Sequence, residues 1–121
     1  MPTPPQVSLL VIRSAAPDRA SHFYSTIGFE FVKHSHGSGP EHFASDHAGF
    51  VFEIYPLQDN PPTTSTRIGF TVTSVDAAVE ALQENGGTLV SKPKDSPWGR
   101  RAVMDDLDGH RFELVEPQVK R

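Results

Sequence analysis

The sequence contains no cysteine, and it has no long apolar run. Without cysteine there is no disulfide, no thiolate ligand for a metal and no thiol nucleophile. No apolar run approaches the roughly 20 residues that a membrane-spanning helix needs. Residues 1–6 have neither the basic nor the apolar region of a signal peptide. We therefore expect a soluble, cytoplasmic protein that does not bind membranes.

Positively charged residues are also fewer than negatively charged ones. The chain has 11 Lys and Arg residues against 15 Asp and Glu residues, which gives a formal net charge of −4. This balance argues against a general nucleic-acid-binding protein. Eight phenylalanines supply much of a core, and 121 residues suffice for one compact unit. The sequence thus predicts a single domain over residues 1–121.

One motif occurs twice, 60 residues apart. The copies begin at Gly49 and Gly109, and both read Gly-x-x-Phe-Glu-aliphatic in a segment rich in β-formers. Side chains alternate across a strand, so Glu53 and Glu113 are predicted to face away from their apolar neighbours. The residues predicted to be buried on the opposite face are Phe52, Ile54, Phe70, Phe112 and Leu114.

The two copies end two similar segments. Each segment has the pattern of a β-α-β-β-β module, with module 1 at residues 7–56, a linker at residues 57–66 and module 2 at residues 67–116. Asp18 is predicted to cap the first helix, and Gly28 ends it. Residues 29–33 are predicted to form the second strand, and residues 92–99 are predicted to form a loop. A module of this size cannot bury its sheet alone, so the modules must pair.

These features resemble the vicinal oxygen chelate superfamily, which includes glyoxalase I, extradiol dioxygenases, fosfomycin resistance enzymes and bleomycin-binding proteins. The resemblance lies in Phe23-Tyr24, Ile27-Gly28-Phe29 and the segment Asp106-Leu-Asp-Gly-His-Arg-Phe-Glu-Leu. It implies an α+β fold in which two β-α-β-β-β modules form cup-shaped mixed sheets. The helices would lie on the convex side, and the concave face would hold a metal or a ligand.

The metalloenzymes of that superfamily carry ligands in their first, fourth, fifth and eighth strands. The matching positions here are Leu9, Glu53, Arg67 and Glu113. Arginine has no lone pair to offer a metal, and two carboxylates alone suit Zn²⁺, Ni²⁺ or Fe²⁺ poorly. We therefore expect no metal cofactor, although a divalent metal, if present, would be held by Glu53, Glu113 and His42. Arg67 is instead predicted to lie between the two carboxylates, either as a structural bridge or in contact with a ligand.

Strand alternation assigns further residues to the concave face. Trp98, between Pro97 and Gly99, is predicted to act as a lid or stacking element, or to pack against its own strand or a dimer partner. His36 and His42 are the histidines considered as bases or ligands, and His42 is favoured because its alternation faces the cup. Several arginines beside a tryptophan suit an anionic or aromatic ligand. The predicted ligand-binding residues are Arg13, His42, Tyr55, Arg67, Trp98 and Arg101.

Two classes of function follow. The first is a homodimeric small-molecule-binding protein of the glyoxalase/bleomycin-resistance type, which holds an anionic or aromatic ligand without a metal. The second is an enzyme of the same superfamily, either a metal-dependent lyase, isomerase or dioxygenase that uses Glu53 and Glu113 or an acid/base catalyst that uses one of them. A purely structural member of the superfamily is a third possibility. The sequence does not identify the ligand or substrate, whether a reaction is catalysed, or whether the dimer exchanges modules.

Overall fold

The computed structural model describes residues 3–35 and 37–118, which form two four-stranded mixed sheets and two helices. Module 1 contains β1 (Leu9–Ser14), α1 (Pro17–Ser25), β2 (Val32–His34), β3 (His42–His47) and β4 (Phe50–Pro56). Module 2 contains β5 (Ile68–Thr71), α2 (Val75–Glu84), β6 (Thr88–Ser96), β7 (Gly99–Asp105) and β8 (Arg111–Pro117). The predicted α+β fold of two β-α-β-β-β modules is confirmed. Among the described helices, none is long and apolar enough to span a membrane.

Both sheets have the same topology. Their strand orders are β1-β4-β3-β2 and β5-β8-β7-β6. The first and last strands of each module pair in parallel, and the other neighbours are antiparallel. A parallel pair needs a crossover connection, to which α1 and α2 contribute. The repeated motif therefore occupies β4 and β8, each in the interior of its sheet.

The convex faces of the two sheets share one aromatic core. The Phe52 ring of β4 lies 5.9 Å from the Phe70 ring of β5, and Tyr24 of α1 lies 5.9 Å from Phe112 of β8. Such ring pairs each contribute about 0.5–1.5 kcal/mol beyond their buried area. The other buried apolar residues are Ile12, Ala20, Phe23, Ile54, Ile68, Val75, Ala78, Val79, Leu82, Ala102, Met104 and Leu114.

The shared core fixes the direction of the repeated glutamates. Phe52 and Phe112 are at most 1% exposed, and Glu53 and Glu113 project from the opposite sides of their strands. The predicted alternation is confirmed, although Phe70 is only partly buried. Because the convex faces meet in one core, the two concave faces point outward, away from each other.

A buried carboxylate, Asp106, joins the two modules. Its Oδ2 accepts hydrogen bonds from the Tyr24 hydroxyl at 2.6 Å and from His110 Nδ1 at 2.9 Å. Its Oδ1 accepts from the backbone N–H groups of Asp108 and His110, both at 2.9 Å. We call Tyr24, Asp106 and His110 the Asp106 hub. Burial raises the pKa of the Asp106 carboxyl, but hydrogen bonds from His110 and Tyr24 outweigh it and hold this pKa below its usual value.

The hub extends to the edge of the first sheet. His110 Nδ1 faces the Asp106 carboxylate and carries a proton, while Nε2 forms a hydrogen bond with the Thr63 hydroxyl at 2.6 Å. Thr63 Oγ1 in turn accepts from the backbone N–H of Arg13 at 3.0 Å, so the linker covers part of the β1 edge. Burial and the nearby Asp106 charge raise the pKa of the Tyr24 hydroxyl well above its usual value. This hydroxyl therefore remains a hydrogen-bond donor.

The first helix begins differently from the prediction. Asp18 is not the N-cap, because α1 starts at Pro17 and Ala16 occupies the cap position without a side-chain hydrogen bond. Proline suits this first position, since its missing N–H would have no intrahelical partner there. Asp18 lies in the first turn instead, where its negative charge interacts favourably with the helix dipole.

Two strand predictions also need correction. Residues 29–33 are not one strand, because Phe29 and Phe31 pack against the core and only Val32–His34 pairs as β2. Residues 92–99 are not a loop, because β6 runs to Ser96 and β7 starts at Gly99. Only Pro97 and Trp98 separate these strands. The register of β6 against β7 shifts twice, which lets an irregular, proline-containing segment remain in the sheet.

Candidate functional site

The concave face of module 1 carries a stacked group of polar and aromatic side chains. The His42 ring, on β3, lies parallel to the Tyr55 ring of β4 at 4.1 Å between centroids. The Arg13 guanidinium of β1 lies 5.5 Å from the same tyrosine ring. Tyr55 therefore stacks on the imidazole of His42, and the guanidinium of Arg13 lies within the distance of a cation–π contact with its ring. His36, the other histidine considered above, lies outside the described residues.

His42 also lies beside the first repeated glutamate. Its Nε2 atom is 3.6 Å from Glu53 Oε2, an ion-pair distance rather than a hydrogen bond. The His42 side chain is 4% exposed and that of Glu53 is 20% exposed. His42 Nδ1 lies 3.3 Å from the Pro40 carbonyl oxygen, which favours a proton on Nδ1. The ring is thus buried and oriented, while the carboxylate stays accessible from the concave side.

The concave face of module 2 is built around an ion pair. Arg101 Nη2, on β7, donates a hydrogen bond to Glu113 Oε2 on β8. Both side chains remain accessible, with 39% and 31% exposure respectively. Arg101 also borders a concavity of about 460 Å³ between β6 and β7. The second repeated glutamate therefore already has a permanent cationic partner from its own sheet.

The predicted bridge of Glu53, Arg67 and Glu113 is not formed within one copy of the chain. Arg67 precedes β5 and is exposed, and within residues 3–35 and 37–118 it forms no ion pair with either glutamate. One side chain cannot reach both carboxylates, because the two concave faces point in different directions. Arg101 is the partner of Glu113, and its assignment to the concave face by alternation was the signal for this role.

Trp98 stands at the tip of the β6–β7 hairpin and is 75% exposed. It does not pack against its own strands, so that alternative is wrong. The turn is held by the Ser96 hydroxyl, which donates to the Gly99 carbonyl at 2.6 Å and accepts from the Trp98 N–H at 3.3 Å. The indole is therefore largely open to solvent.

The residues at the four matched ligand positions do not by themselves fit Zn²⁺, Ni²⁺ or Fe²⁺. Leu9 offers no donor atom, Arg67 cannot ligate, and Glu113 is paired with Arg101. Beside Glu53, the described part of the same face carries His42, and the His34 ring of β2 stacks on His42 at 5.8 Å between centroids. Three metal-binding side chains converge at Asp106, Asp108 and His110, but Asp106 there accepts hydrogen bonds through both oxygens.

Comparison with known proteins agrees with this architecture. An uncharacterized protein of Mycolicibacterium smegmatis is 29% identical over 113 residues, which cover 93% of this chain and 94% of that protein. The anthracycline biosynthesis protein DauV of a Streptomyces species is 30% identical over 80 residues, which cover 56% of this chain and 29% of DauV. The structure of TnmS3, an antibiotic-binding protein from Streptomyces sp. CB03234, superposes with a TM-score of 0.76 at 27% identity. That superposition covers 98% of this chain and 100% of TnmS3.

A family profile matches residues 6–114, which include module 1 and nearly all of module 2. Its description names glyoxalases, bleomycin resistance proteins and dioxygenases together. The chain belongs to the Glyoxalase/Bleomycin resistance protein/Dioxygenase superfamily.

Proposed function

We propose that the protein binds a small anionic or aromatic molecule on its concave faces without a metal. The observation that carries this proposal is the ion pair between Arg101 and Glu113, which gives one of the two repeated carboxylates an organic cation in place of a metal. The stacked rings of His42 and Tyr55 add a flat surface suited to a planar ligand. Similarity to the antibiotic-binding TnmS3 supports the same class of function.

The complete site is proposed to need two copies of the chain. Because the two concave faces point outward, Glu53 and Glu113 of one copy do not line the same cup. Module 1 of one copy can face module 2 of another, and a twofold axis then generates two equal cups. Val7 and Leu9, which are 78% and 51% exposed beside the edge of β1, provide apolar surface for such a contact.

Each cup would combine different contributions from the two copies. One copy supplies the stacked group of Arg13, His42 and Tyr55 together with Glu53. The other supplies Arg101, Glu113 and the exposed ring of Trp98. Arg67 remains a proposed ligand contact at the start of β5, although it no longer has a bridging role.

The homodimer is tested by sedimentation equilibrium at micromolar concentration, where we expect about twice the mass of the 13.3 kDa chain. Leu9→Asp should shift the mass toward the monomer, because it places a charge in the apolar contact. A monomeric wild-type protein would contradict the two-copy cup.

The ligand class is tested by comparing two adjacent arginines. Arg101→Ala should weaken binding of an anionic aromatic compound by at least about tenfold, because a hydrogen bond to a charged group is worth about 1.5–3 kcal/mol. Arg100→Ala is the control, since Arg100 pairs with Asp76 and Asp95 rather than facing the cup. Aromatic carboxylates, amines and alcohols are titrated by calorimetry in the presence of EDTA. A preference for amines, or equal effects of both variants, would contradict the proposal.

The pair of His42 and Glu53 favours the enzymatic alternative, because a carboxylate beside an imidazole is suited to acid–base chemistry. A metal-dependent lyase, isomerase or dioxygenase would require a metal at Glu53, Glu113 and His42. Elemental analysis in the same experiment separates the alternatives. One metal per site that is lost in Glu53→Gln would favour the enzyme, whereas unchanged ligand binding in EDTA would favour the binding protein.

A further inference from the structure

The edge strand β6 contains a register shift that changes which residue faces Arg101. Ser91 is opposite Val103, and Lys94 is opposite Arg101, so β6 uses one more residue than β7 between these two pairs. In a regular antiparallel ladder Pro93 would be opposite Arg101. The extra residue is a β-bulge, a feature that redirects side chains and that is frequent near active sites.

This register places two cations opposite each other. Directly opposed residues of an antiparallel pair share one face of the sheet, so Lys94 lies on the concave side with Arg101. Like charges in this arrangement are destabilising. The ion pair with Glu113 compensates Arg101, but Lys94 forms no ion pair with any residue that the structure describes. The arrangement therefore carries a cost that a bound anion would remove.

The surrounding concavity has an excess of positive charge. It holds about 460 Å³, and its lining includes Ser91, Lys92, Lys94, Ser96 and Arg101. Asp95 also borders it, but this carboxylate accepts a hydrogen bond from Arg100 at 3.0 Å. Lys92, like Lys94, has no ion-pair partner within the described ranges. Two uncompensated positive charges thus remain here in a chain whose formal net charge is −4.

Arg101 also has unused hydrogen-bonding capacity. Its Nη2 atom donates to Glu113, whereas Nε and Nη1 donate to no group in the part of the chain that the structure describes. A guanidinium can engage two oxygen acceptors at once, and a lysine ammonium adds a third donor group to the same anion. Arg101 can therefore keep Glu113 and still bind a ligand oxyanion.

We propose that the face between β6 and β7 binds a ligand group that carries two negative charges, with Lys94 and Arg101 as its principal contacts and Lys92 in support. This inference rests on the proposed binding function and deepens it by naming the chemical class, a phosphate monoester or a pair of neighbouring carboxylates. Lys94 was not among the residues expected from the sequence to bind a ligand, because its segment was interpreted as a loop.

The test compares four probes that share a benzene ring and differ in charge. The ¹⁵N-labelled full chain is titrated with phenyl phosphate, phthalate, benzoate and benzyl alcohol at constant ionic strength and at pH 7.5. We expect phenyl phosphate or phthalate to bind at least about fivefold more tightly than benzoate, with amide shifts concentrated in residues 91–103. The preferred dianion then distinguishes a phosphate site from a dicarboxylate site.

Two lysine variants decide whether the effect is local. Lys94→Gln should reduce dianion binding at least about fivefold, to the level of benzoate. Lys33→Gln makes the same charge change on β2 of the other sheet, where Lys33 pairs with Glu41, and it should leave dianion binding unchanged. Equal losses in both variants would indicate unspecific charge attraction and would overturn the dianion site. Equal binding of all four probes would overturn it too while leaving the proposed function intact, whereas no binding of any probe would contradict both.

Discussion

Asp106→Ala is expected to lower the free energy of unfolding by about 3–5 kcal/mol, which is the range for loss of a buried charged partner. Removing the carboxylate leaves the Tyr24 hydroxyl and His110 Nδ1–H without an acceptor, and both of these residues are 0% exposed. It also removes the acceptor for the backbone N–H groups of Asp108 and His110. The loss is large because several buried hydrogen-bond donors lose their acceptor at once.

The matched control for this prediction is Asp105→Ala, one residue away. Asp105 accepts a hydrogen bond from Arg111 at 3.0 Å in an exposed pair, so its removal should have only a small effect. Urea denaturation followed by far-UV circular dichroism measures both variants. Tyr24→Phe provides a milder test if Asp106→Ala does not fold, because it removes one donor and keeps the ring. Similar stability of Asp106→Ala and Asp105→Ala would show that the hub is not an important link.

Gly99→Ala is expected to destabilise the protein by about 3–5 kcal/mol, from a strained backbone together with steric overlap. Gly99 has φ +128°, and an added Cβ would lie 2.2 Å from the Glu116 carbonyl oxygen. That carbonyl belongs to β8, where Glu116 pairs with Arg100 in the β7–β8 ladder. The Glu116 side chain also accepts from the Val75 N–H at 2.9 Å, at the start of α2. Glu116 is therefore held from two directions and cannot move aside easily.

Gly49→Ala distinguishes the backbone strain of a positive φ angle from the steric overlap of an added Cβ atom. Gly49 also has a positive φ, +80°, but an added Cβ meets no atom within 4 Å. Its expected loss is therefore only the backbone penalty of about 1–2 kcal/mol. Urea denaturation gives the two free energies, and amide hydrogen exchange shows whether protection is lost first in β6 and β7. If Gly99→Ala lowers the free energy of unfolding no more than Gly49→Ala does, then β8 can shift to make room for the new methyl group, which contradicts this prediction.

Local periodicity was enough to predict which faces of β4 and β8 are buried, whereas the cup-shaped architecture was implied by the family resemblance. Alternation in β4 and β8 placed Phe52 and Phe112 in the core and their following glutamates on the other face, because strand geometry fixes this relation between neighbours. The same alternation assigned Arg101 to the concave face. These inferences concern residues in one strand, for which no knowledge of distant contacts is required.

Relations between distant strands could not be predicted in the same way. The position of Arg67 depends on how two convex faces meet in one core, and no sequence period encodes that contact. The length of β6 was missed because two register shifts interrupt its alternation and Pro93 is typical of a turn. Lys94 is opposite Arg101 only because of those register shifts, so this pairing could be identified only from the structure.

The exposed position of Trp98 at the hairpin tip also determines what tryptophan fluorescence can measure in this protein. Trp98 is the only tryptophan in the sequence, and most of its indole is open to solvent. In a single copy of the chain, its intrinsic fluorescence is therefore expected to change little when the phenylalanine-rich core unfolds. Coverage of the indole by a planar compound or by a second copy would shift the emission to shorter wavelength. Trp98 is thus expected to serve as an optical probe for occupancy of the proposed cup.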